Sequence, residues 1–205
     1  MATKDIRSKD IRSAGGVEIT PERAAEAPRG GLVTHTATRV LAVTRVVTGF
    51  VFLWAFVDKT FGLHYATAGG KGWVDGGSPT EGFLSGVHVG PFASAFRAMA
   101  GEWWVDSLFM LGLLGIGLAL TAGVAMRVAA ASGTLMMAFM WAAEWPLAQH
   151  DAAGELTRSA NPLVDYHVVY ALVMIVLAVT YAGATWGLGK RWARIPFVAR
   201  NRWLL

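Results

Sequence analysis

Twenty consecutive uncharged residues, 107–126, read SLFMLGLLGIGLALTAGVAM and decide the fold class. A helix that crosses a bilayer needs about 20 mostly apolar residues. Residues 168–189 (VVYALVMIVLAVTYAGATWGLG) form a second run of this kind, and residues 128–143 form a third that the next four residues extend to span length. A fourth run, 40–57, contains Arg45 but ends in GFVFLWAFV. The sequence therefore predicts an all-α integral membrane bundle of four transmembrane helices, at about 38–60, 104–126, 128–147 and 164–188.

The composition of the 205-residue chain agrees with a membrane protein. Hydrophobic residues make up 54% and charged residues 16%, and the mean hydropathy is +0.44. A soluble domain has about 25% charged residues, so a soluble enzyme is disfavoured. The absence of cysteine excludes a disulfide scaffold, an iron–sulfur carrier and a zinc module built on cysteine. No segment alternates polar and apolar residues as the strands of a membrane barrel do.

Basic residues are concentrated near the two termini. Eight lie in residues 1–45 and five in residues 190–205, and Arg127 lies between the second and third predicted helices. Because cytoplasmic loops are rich in Lys and Arg, we expect both termini in the cytoplasm, in a multi-pass protein of the cell membrane. The lipid bilayer is thus the first expected partner, and no nucleic acid is expected. Residues 1–37 are predicted to be a disordered basic tail and residues 190–205 a second basic tail. Arg45 is expected to snorkel to the cytoplasmic headgroups, with pairing to an inner carbonyl as the alternative.

Ionisable residues near the predicted spans gather at their outer ends. Ionisable groups at membrane depth are costly and therefore indicate functional sites. The group consists of Asp58, Lys59, Glu102, Asp106, Glu144, Asp165 and His167. The intervening loop, 61–102, is rich in aromatic residues, so we expect it to fold back onto this end, with a short helix around 91–100.

Quinone reduction is one chemistry that could use this group. A quinone needs an apolar slot, hydrogen-bond partners for its carbonyls and two protons. His167 and Asp165 are predicted to handle the protons. Asp106 and Glu144 are predicted to support them. Lys59 would stabilise the oxyanion of the reduced quinone or help to capture an anionic donor. The predicted walls of the slot are Trp54, Trp104, Trp145 and Tyr170.

The remaining basic residues on the outer side suggest how an anionic donor is steered. Arg97 and Arg158 are predicted to attract it. No metal or haem is expected, because no histidines face each other within the membrane. A purely structural interpretation stays open, in which these charged groups are solvated at the interface or lock two helices together.

Several short motifs, taken in order, resemble the DoxX/DoxD family of membrane proteins. The pattern Arg45-x3-Gly49-x9-Lys59 is similar to the opening helix of that family. Five later motifs resemble its DoxD branch: GSPTEGFL (77–84), GPF (90–92), DSLFM (106–110), NPLVDYH (161–167) and WGLG-x2-W (186–192). The resemblance covers roughly residues 38–200.

The resemblance implies a four-helix membrane protein and a redox activity. The best-described activity in the family is that of the large subunit of thiosulfate:quinone oxidoreductase. It couples oxidation of thiosulfate to tetrathionate with reduction of a membrane quinone, and it works with a second subunit, DoxA. We therefore predict a membrane oxidoreductase subunit with quinone as its electron acceptor and a DoxA-like or other redox protein as its partner. The alternative is a non-catalytic scaffold that docks a redox or stress-response partner. A transporter is disfavoured, because the second and fourth predicted helices lack polar residues at mid-membrane.

Overall fold

The structure, a computed structural model, describes residues 34–205 except 152, 158 and 160. Most of the predicted tail of residues 1–37 therefore lies outside the described residues. The described part is all-helical, and its one strand-like pairing is an isolated bridge between His150 and Leu156. Its α-helices are α1 (His35–Phe61), α2 (Glu81–Ser85), α3 (Ala93–Ala98), α4 (Trp103–Ala122), α5 (Met126–Glu144), α6 (Tyr166–Val179), α7 (Gly189–Trp192) and α8 (Pro196–Arg200). Short 3-10 turns occur at Trp73–Asp75, Ala182–Ala184 and Arg202–Leu204.

Three of the described helices, α1, α4 and α5, are long and apolar enough to cross a membrane. The helix α6 is equally apolar but has only 14 residues. On α1, the side chains of Val43, Val47 and Phe50 each expose more than half of their surface. Large exposed apolar side chains on a long helix are suited to lipid. The prediction of an all-α fold is confirmed for the described residues, and three of the helices have the length and composition of membrane spans.

The four longer helices pack as two antiparallel pairs. The helix α1 runs along α4, α5 runs along α6, and contacts between α4 and α5 join the pairs. Their shared core includes Met110, Leu120, Met174 and Leu177, which are fully buried. The end of the bundle where α1 and α5 terminate is called the Glu144 end. The opposite end is called the Arg45 end.

The helices α4 and α5 stop earlier than predicted. The chain leaves α4 at Gly123, whose left-handed φ of 73° lets its N–H bond to the carbonyl of Ala119. The chain leaves α5 at Trp145, which has a φ of 42° and precedes Pro146. A residue before proline is disfavoured in helical conformation, so α5 ends there.

The fourth helix differs most from its predicted range. Instead of continuing to about residue 188, α6 ends at Val179, and Tyr181 and Trp186 adopt left-handed φ values of 53° and 50°. The chain turns so that Gly183 lies against the backbone of Gly123. The left-handed residues Tyr181 and Trp186 end the helical path, so the prediction of a long fourth helix was wrong.

Arg45 joins α1 to α4 and to the segment after α6 at the Arg45 end of the bundle. Its side chain is completely buried, and its guanidinium donates to the carbonyls of Leu120 and Thr121 in the last turn of α4. It also donates to the carbonyl of Trp186, at 3.1 Å, in the segment after α6. The last carbonyls of a helix lack partners and carry the negative end of its dipole, so they attract a cation. The expectation that Arg45 snorkels to lipid headgroups is therefore wrong, and the carbonyl alternative is the one observed.

The loop between α1 and α4 folds back onto the Glu144 end, as expected. Leu84, Val87 and Phe96 from this loop form a buried cluster with Ala143 of α5. The short helix expected around 91–100 is α3.

Candidate functional site

Asp165 and His167 form a buried pair at the start of α6. Asp165 is the N-cap residue, and its Oδ1 accepts a hydrogen bond from the N–H of Val168 at 3.2 Å. A helix start leaves such N–H groups without partners, which is why a carboxylate is stable there. The other oxygen, Oδ2, lies 2.7 Å from Nδ1 of His167, whose side chain is only 1% exposed. A carboxylate at Nδ1 favours the tautomer that carries the proton on this nitrogen.

The second ring nitrogen of His167 has no partner. Nε2 is buried and makes no hydrogen bond within the described residues. More than nine in ten buried polar groups are hydrogen-bonded, so this atom is an exception that calls for a function. With Nδ1 held by Asp165, Nε2 can accept a proton or hydrogen bond in the neutral imidazole and donate one in the charged form.

Glu144 and Tyr166 complete the group around this imidazole. Oε2 of Glu144 lies 4.0 Å from Nδ1 of His167, and Oε1 accepts a hydrogen bond from the Tyr166 hydroxyl at 2.8 Å. The Tyr166 and His167 rings are 4.0 Å apart between centroids. The Glu144 side chain is 37% exposed. It therefore gives the buried pair a neighbour that exchanges protons with water. We call Glu144, Asp165, Tyr166 and His167 the His167 cluster.

The same cluster has the composition of a metal site. One ligand atom from each of Glu144, Asp165 and His167 lies within 4.8 Å of the others. Imidazole with carboxylates suits several divalent ions, including Zn²⁺ and Fe²⁺. The expectation that the chain works without a metal therefore stays a prediction.

Asp106 is engaged in fixing the outer loop. Its Oδ1 accepts hydrogen bonds from the Ser78 hydroxyl at 2.9 Å and from the Thr80 hydroxyl and N–H at 2.6 and 3.0 Å. Its side chain is buried. Within the described residues no hydrogen bond or ion pair joins Asp106 to the His167 cluster. The structure thus places it apart from the groups that it was predicted to support.

Asp58 has the same kind of role, which the sequence analysis missed. Its carboxylate is 1% exposed and accepts from the N–H groups of Tyr65 at 3.3 Å and Ala66 at 3.0 Å. Gly62 and His64, which lie between Asp58 and Tyr65, have left-handed φ values of 63° and 67° and turn the chain back toward the carboxylate. Lys59 is half-buried and has no ion pair within 4.0 Å in the described part of the chain. Among the residues that the structure describes, no hydrogen bond or ion pair joins it to the His167 cluster.

The predicted wall residues pack against different partners. The ring centroid of Trp54 lies 5.1 Å from that of Tyr65, and the ring centroid of Tyr170 lies 6.4 Å from that of Phe52. Trp145 stacks edge-on against Trp141 at 5.6 Å, and Trp104 is 46% exposed. In residues 34–205, apart from the three gaps, no ring contact joins these four predicted residues to each other.

Two cavities of the described chain are lined by no residue of the His167 cluster. One is an apolar groove of about 230 Å³ between α1 and α6, lined by residues such as Leu41 and Val173. The other, of about 170 Å³, lies beside the segment after α6 and includes Lys190 and Trp192.

The structure describes only one of the two arginines that were predicted to attract an anionic electron donor. Arg97 is exposed on α3, and its guanidinium donates to the Val87 carbonyl, so the loop holds it in place. Arg158 lies outside the described residues.

Comparison with known proteins adds no relative. No protein-family model matches the chain, and neither the curated proteins nor the solved structures contain a match. The resemblance to the DoxX/DoxD family stays a prediction carried by the motifs, and the functional argument depends on the geometry of the His167 cluster.

Proposed function

We propose that this chain is a DoxX/DoxD-type membrane oxidoreductase subunit that passes electrons from a small donor, such as thiosulfate, to a quinone. Four membrane-spanning helices, with both termini in the cytoplasm, would place the His167 cluster near the outer leaflet. The observation that carries the proposal is the His167 imidazole itself. It is buried, held at Nδ1 by Asp165 and free of any described partner at Nε2.

The proposed role of His167 follows from the proton balance of quinone reduction. Oxidation of two thiosulfate ions to tetrathionate releases two electrons, and reduction of a quinone to a quinol consumes two electrons and two protons. Nε2 of the charged imidazole donates a proton to a quinone carbonyl oxygen. Asp165 stabilises the positive charge on the ring between transfers, as a carboxylate does in other acid–base pairs. Electrons pass from the donor directly or through a cofactor of a partner protein.

Glu144 is the proposed second negative charge beside the imidazolium. Because Nδ1 keeps its own proton, the ring regains the transferred proton at Nε2, from water that enters once the quinol has left. The Glu144 carboxylate is exposed to solvent and lies 4.0 Å from Nδ1 of His167. A single water or a small rotation of the carboxylate closes this gap. The Tyr166 hydroxyl holds the other Glu144 oxygen in position.

Two observations support a fourth crossing by α6 and the residues after it. At its start α6 meets Glu144, and beyond its end the Trp186 carbonyl meets Arg45 at the opposite end of the bundle. The helix alone has 14 residues, or about 21 Å at 1.5 Å per residue, against a hydrocarbon core of about 30 Å. The turn that follows α6 would supply the remaining depth, with its backbone buried against α4.

The test is quinone reduction by purified protein in detergent, with thiosulfate as donor and a soluble quinone analogue as acceptor. Loss of a general acid lowers turnover by about 10²- to 10⁴-fold, so His167→Gln should lower kcat at least 100-fold. The matched control is His150→Gln, because His150 is an exposed loop histidine. Full turnover in His167→Gln would contradict the proposed role of His167.

A scaffold function is the second candidate. Asp58 and Asp106 both accept hydrogen bonds from the outer loop and so fix its conformation. On and beside this loop, Tyr65, Phe92 and Trp103 are more than half exposed. A rigid surface with exposed aromatic side chains suits docking of another protein. If wild-type protein shows no turnover with any donor but binds a purified soluble redox protein with saturation, the scaffold replaces the oxidoreductase.

A further inference from the structure

The segment after α6 combines positive charge with exposed apolar side chains. We call residues 182–205 the C-terminal cap. No Asp or Glu occurs in it, and the last acidic residue of the chain is Asp165. Its five basic residues are all exposed: Lys190, Arg191, Arg194, Arg200 and Arg202. Within the described residues, none of these five side chains takes part in a hydrogen bond or an ion pair.

The C-terminal cap is a folded surface. The N–H of Leu188 donates to the Ala122 carbonyl at 2.8 Å, and the indole of Trp192 donates to the Leu204 carbonyl at 2.8 Å. The N–H of Arg127 reaches the carbonyl of the last residue at 3.2 Å. Val198 is 1% exposed and anchors α8. The five charges are therefore carried on fixed backbone and not on a free tail.

Large apolar side chains are interleaved with these charges. Trp186 is 68% exposed, Phe197 65% and Trp203 61%. Leu188 and Ile195 also expose more than 40% of their surface. Tryptophan, large apolar residues and Lys or Arg occur together where a protein meets the headgroup layer of a membrane.

The position of the C-terminal cap agrees with that layer. Leu188 binds the last residue of α4, and the Trp186 carbonyl binds Arg45, ten residues inside α1, so the cap begins where one membrane-length helix ends and beside the first half of another. At this depth the exposed aromatic side chains reach the acyl boundary, and the cations lie among phosphates.

We propose that the C-terminal cap binds anionic phospholipid, with its five cations on the headgroup phosphates and its exposed aromatic side chains in the acyl boundary. The occupant is identified by charge complementarity, because this surface has five cations and no acid to neutralise them. Exposed Trp and Phe beside the charges favour lipid over a purely polar anion. The proposal is independent of the redox function and requires only that the chain lies in a membrane.

Charge removal should weaken this binding in steps. A Lys or Arg near an anionic surface strengthens binding by about fivefold. Loss of three charges should therefore reduce the preference for anionic lipid by at least tenfold and by about a hundredfold at most, because neighbouring charges are partly screened.

The test uses the full-length protein in detergent with an equimolar mixture of phosphatidylglycerol and phosphatidylcholine. Native mass spectrometry counts the lipids of each kind that stay bound. We expect wild-type protein to retain mainly phosphatidylglycerol, and Arg191→Gln/Arg194→Gln/Arg200→Gln to lose that preference. The triple Arg→Lys variant keeps the charges and should keep the preference. Lys71→Gln removes an exposed charge from the loop between α1 and α4 and should leave the ratio of the two lipids unchanged.

Two controls distinguish lipid binding from misfolding of the variant and from capture of any small anion. The unfolding temperature of the Gln variant in phosphatidylcholine micelles should match that of wild type, which shows that the variant is folded. Inorganic phosphate at the same concentration should stabilise the protein less than phosphatidylglycerol does. Equal retention of both lipids by wild type, an unchanged preference in the Gln variant, or equal stabilisation by free phosphate would each overturn the proposal.

Discussion

Replacing Arg45 by methionine tests the account of how the bundle is held together. The substitution keeps an unbranched apolar chain but removes the guanidinium that joins α1 to α4 and to the segment after α6. Three carbonyls, those of Leu120, Thr121 and Trp186, then lose a charged donor. A buried polar group left without a partner costs about 1–3 kcal/mol.

The variant no longer has to bury a charge, and this gain offsets part of the cost of the three unpaired carbonyls. The expected loss of unfolding free energy is therefore about 3–5 kcal/mol. For a chain of this size, 1 kcal/mol corresponds to about 2–4 °C, so the unfolding temperature in detergent should fall by about 6–20 °C. Tryptophan fluorescence during heating measures it, since the chain has nine tryptophans.

Arg39→Met is the matched control for this experiment. Arg39 is an exposed arginine on the same helix, and a surface substitution changes stability by only about 0.5 kcal/mol. If Arg45→Met unfolds within about 2 °C of wild type, the buried guanidinium does not hold the bundle and this reasoning fails.

Three further predictions concern the loop, the close helix contact and the metal. Asp106→Ala should speed protease cleavage of the outer loop about tenfold by removing three hydrogen bonds, whereas Asp75→Ala, at an exposed site, should not. Gly183→Ala should cost about 2 kcal/mol of unfolding free energy, because the new Cβ would collide with the Gly123 carbonyl. Gly82→Ala, where the Cβ meets open space, is its control, and equal stability of the two variants would contradict the contact. Quinone reduction should survive EDTA, since the step proposed at His167 is a proton transfer that needs no metal; loss of activity that Zn²⁺ or Fe²⁺ restores would instead assign a metal to the His167 cluster.

Long apolar runs made most of the helical architecture predictable. The helices α1, α4 and α5 begin within about three residues of their expected starts, because uncharged stretches of this length have few other stable forms. The end of α6 could not be predicted in the same way. Residues 180–188 are uncharged but less apolar than the helix before them, with two glycines and two threonines, and a reading of charge alone passes over this signal; the contact between Gly183 and Gly123 is a tertiary feature.

The candidate site was predictable where it is local. Asp165 and His167 are two residues apart at a helix start, so their pairing follows from spacing, and Glu144 joins them because α5 ends beside α6. Asp106 is also an acidic residue at the predicted outer end of a helix, but its carboxylate accepts hydrogen bonds from Ser78 and Thr80 and not from the cluster. The path of a glycine-rich loop decides that outcome, and periodicity does not describe such a path. The assignment of quinone chemistry to the cluster stays a prediction.

The capping of α4 by Arg45 has a consequence for synthesis of the chain. Arg45 is translated before its acceptors, which are 75, 76 and 141 residues later in the sequence. At about 5–20 residues per second, the first two acceptors follow Arg45 after roughly 4–15 s and the last one after roughly 7–30 s. A product truncated before Trp186 would lack the acceptor in the segment after α6 and would leave the guanidinium only partly paired. Full pairing of the charge in the first helix therefore requires synthesis of the chain through Trp186.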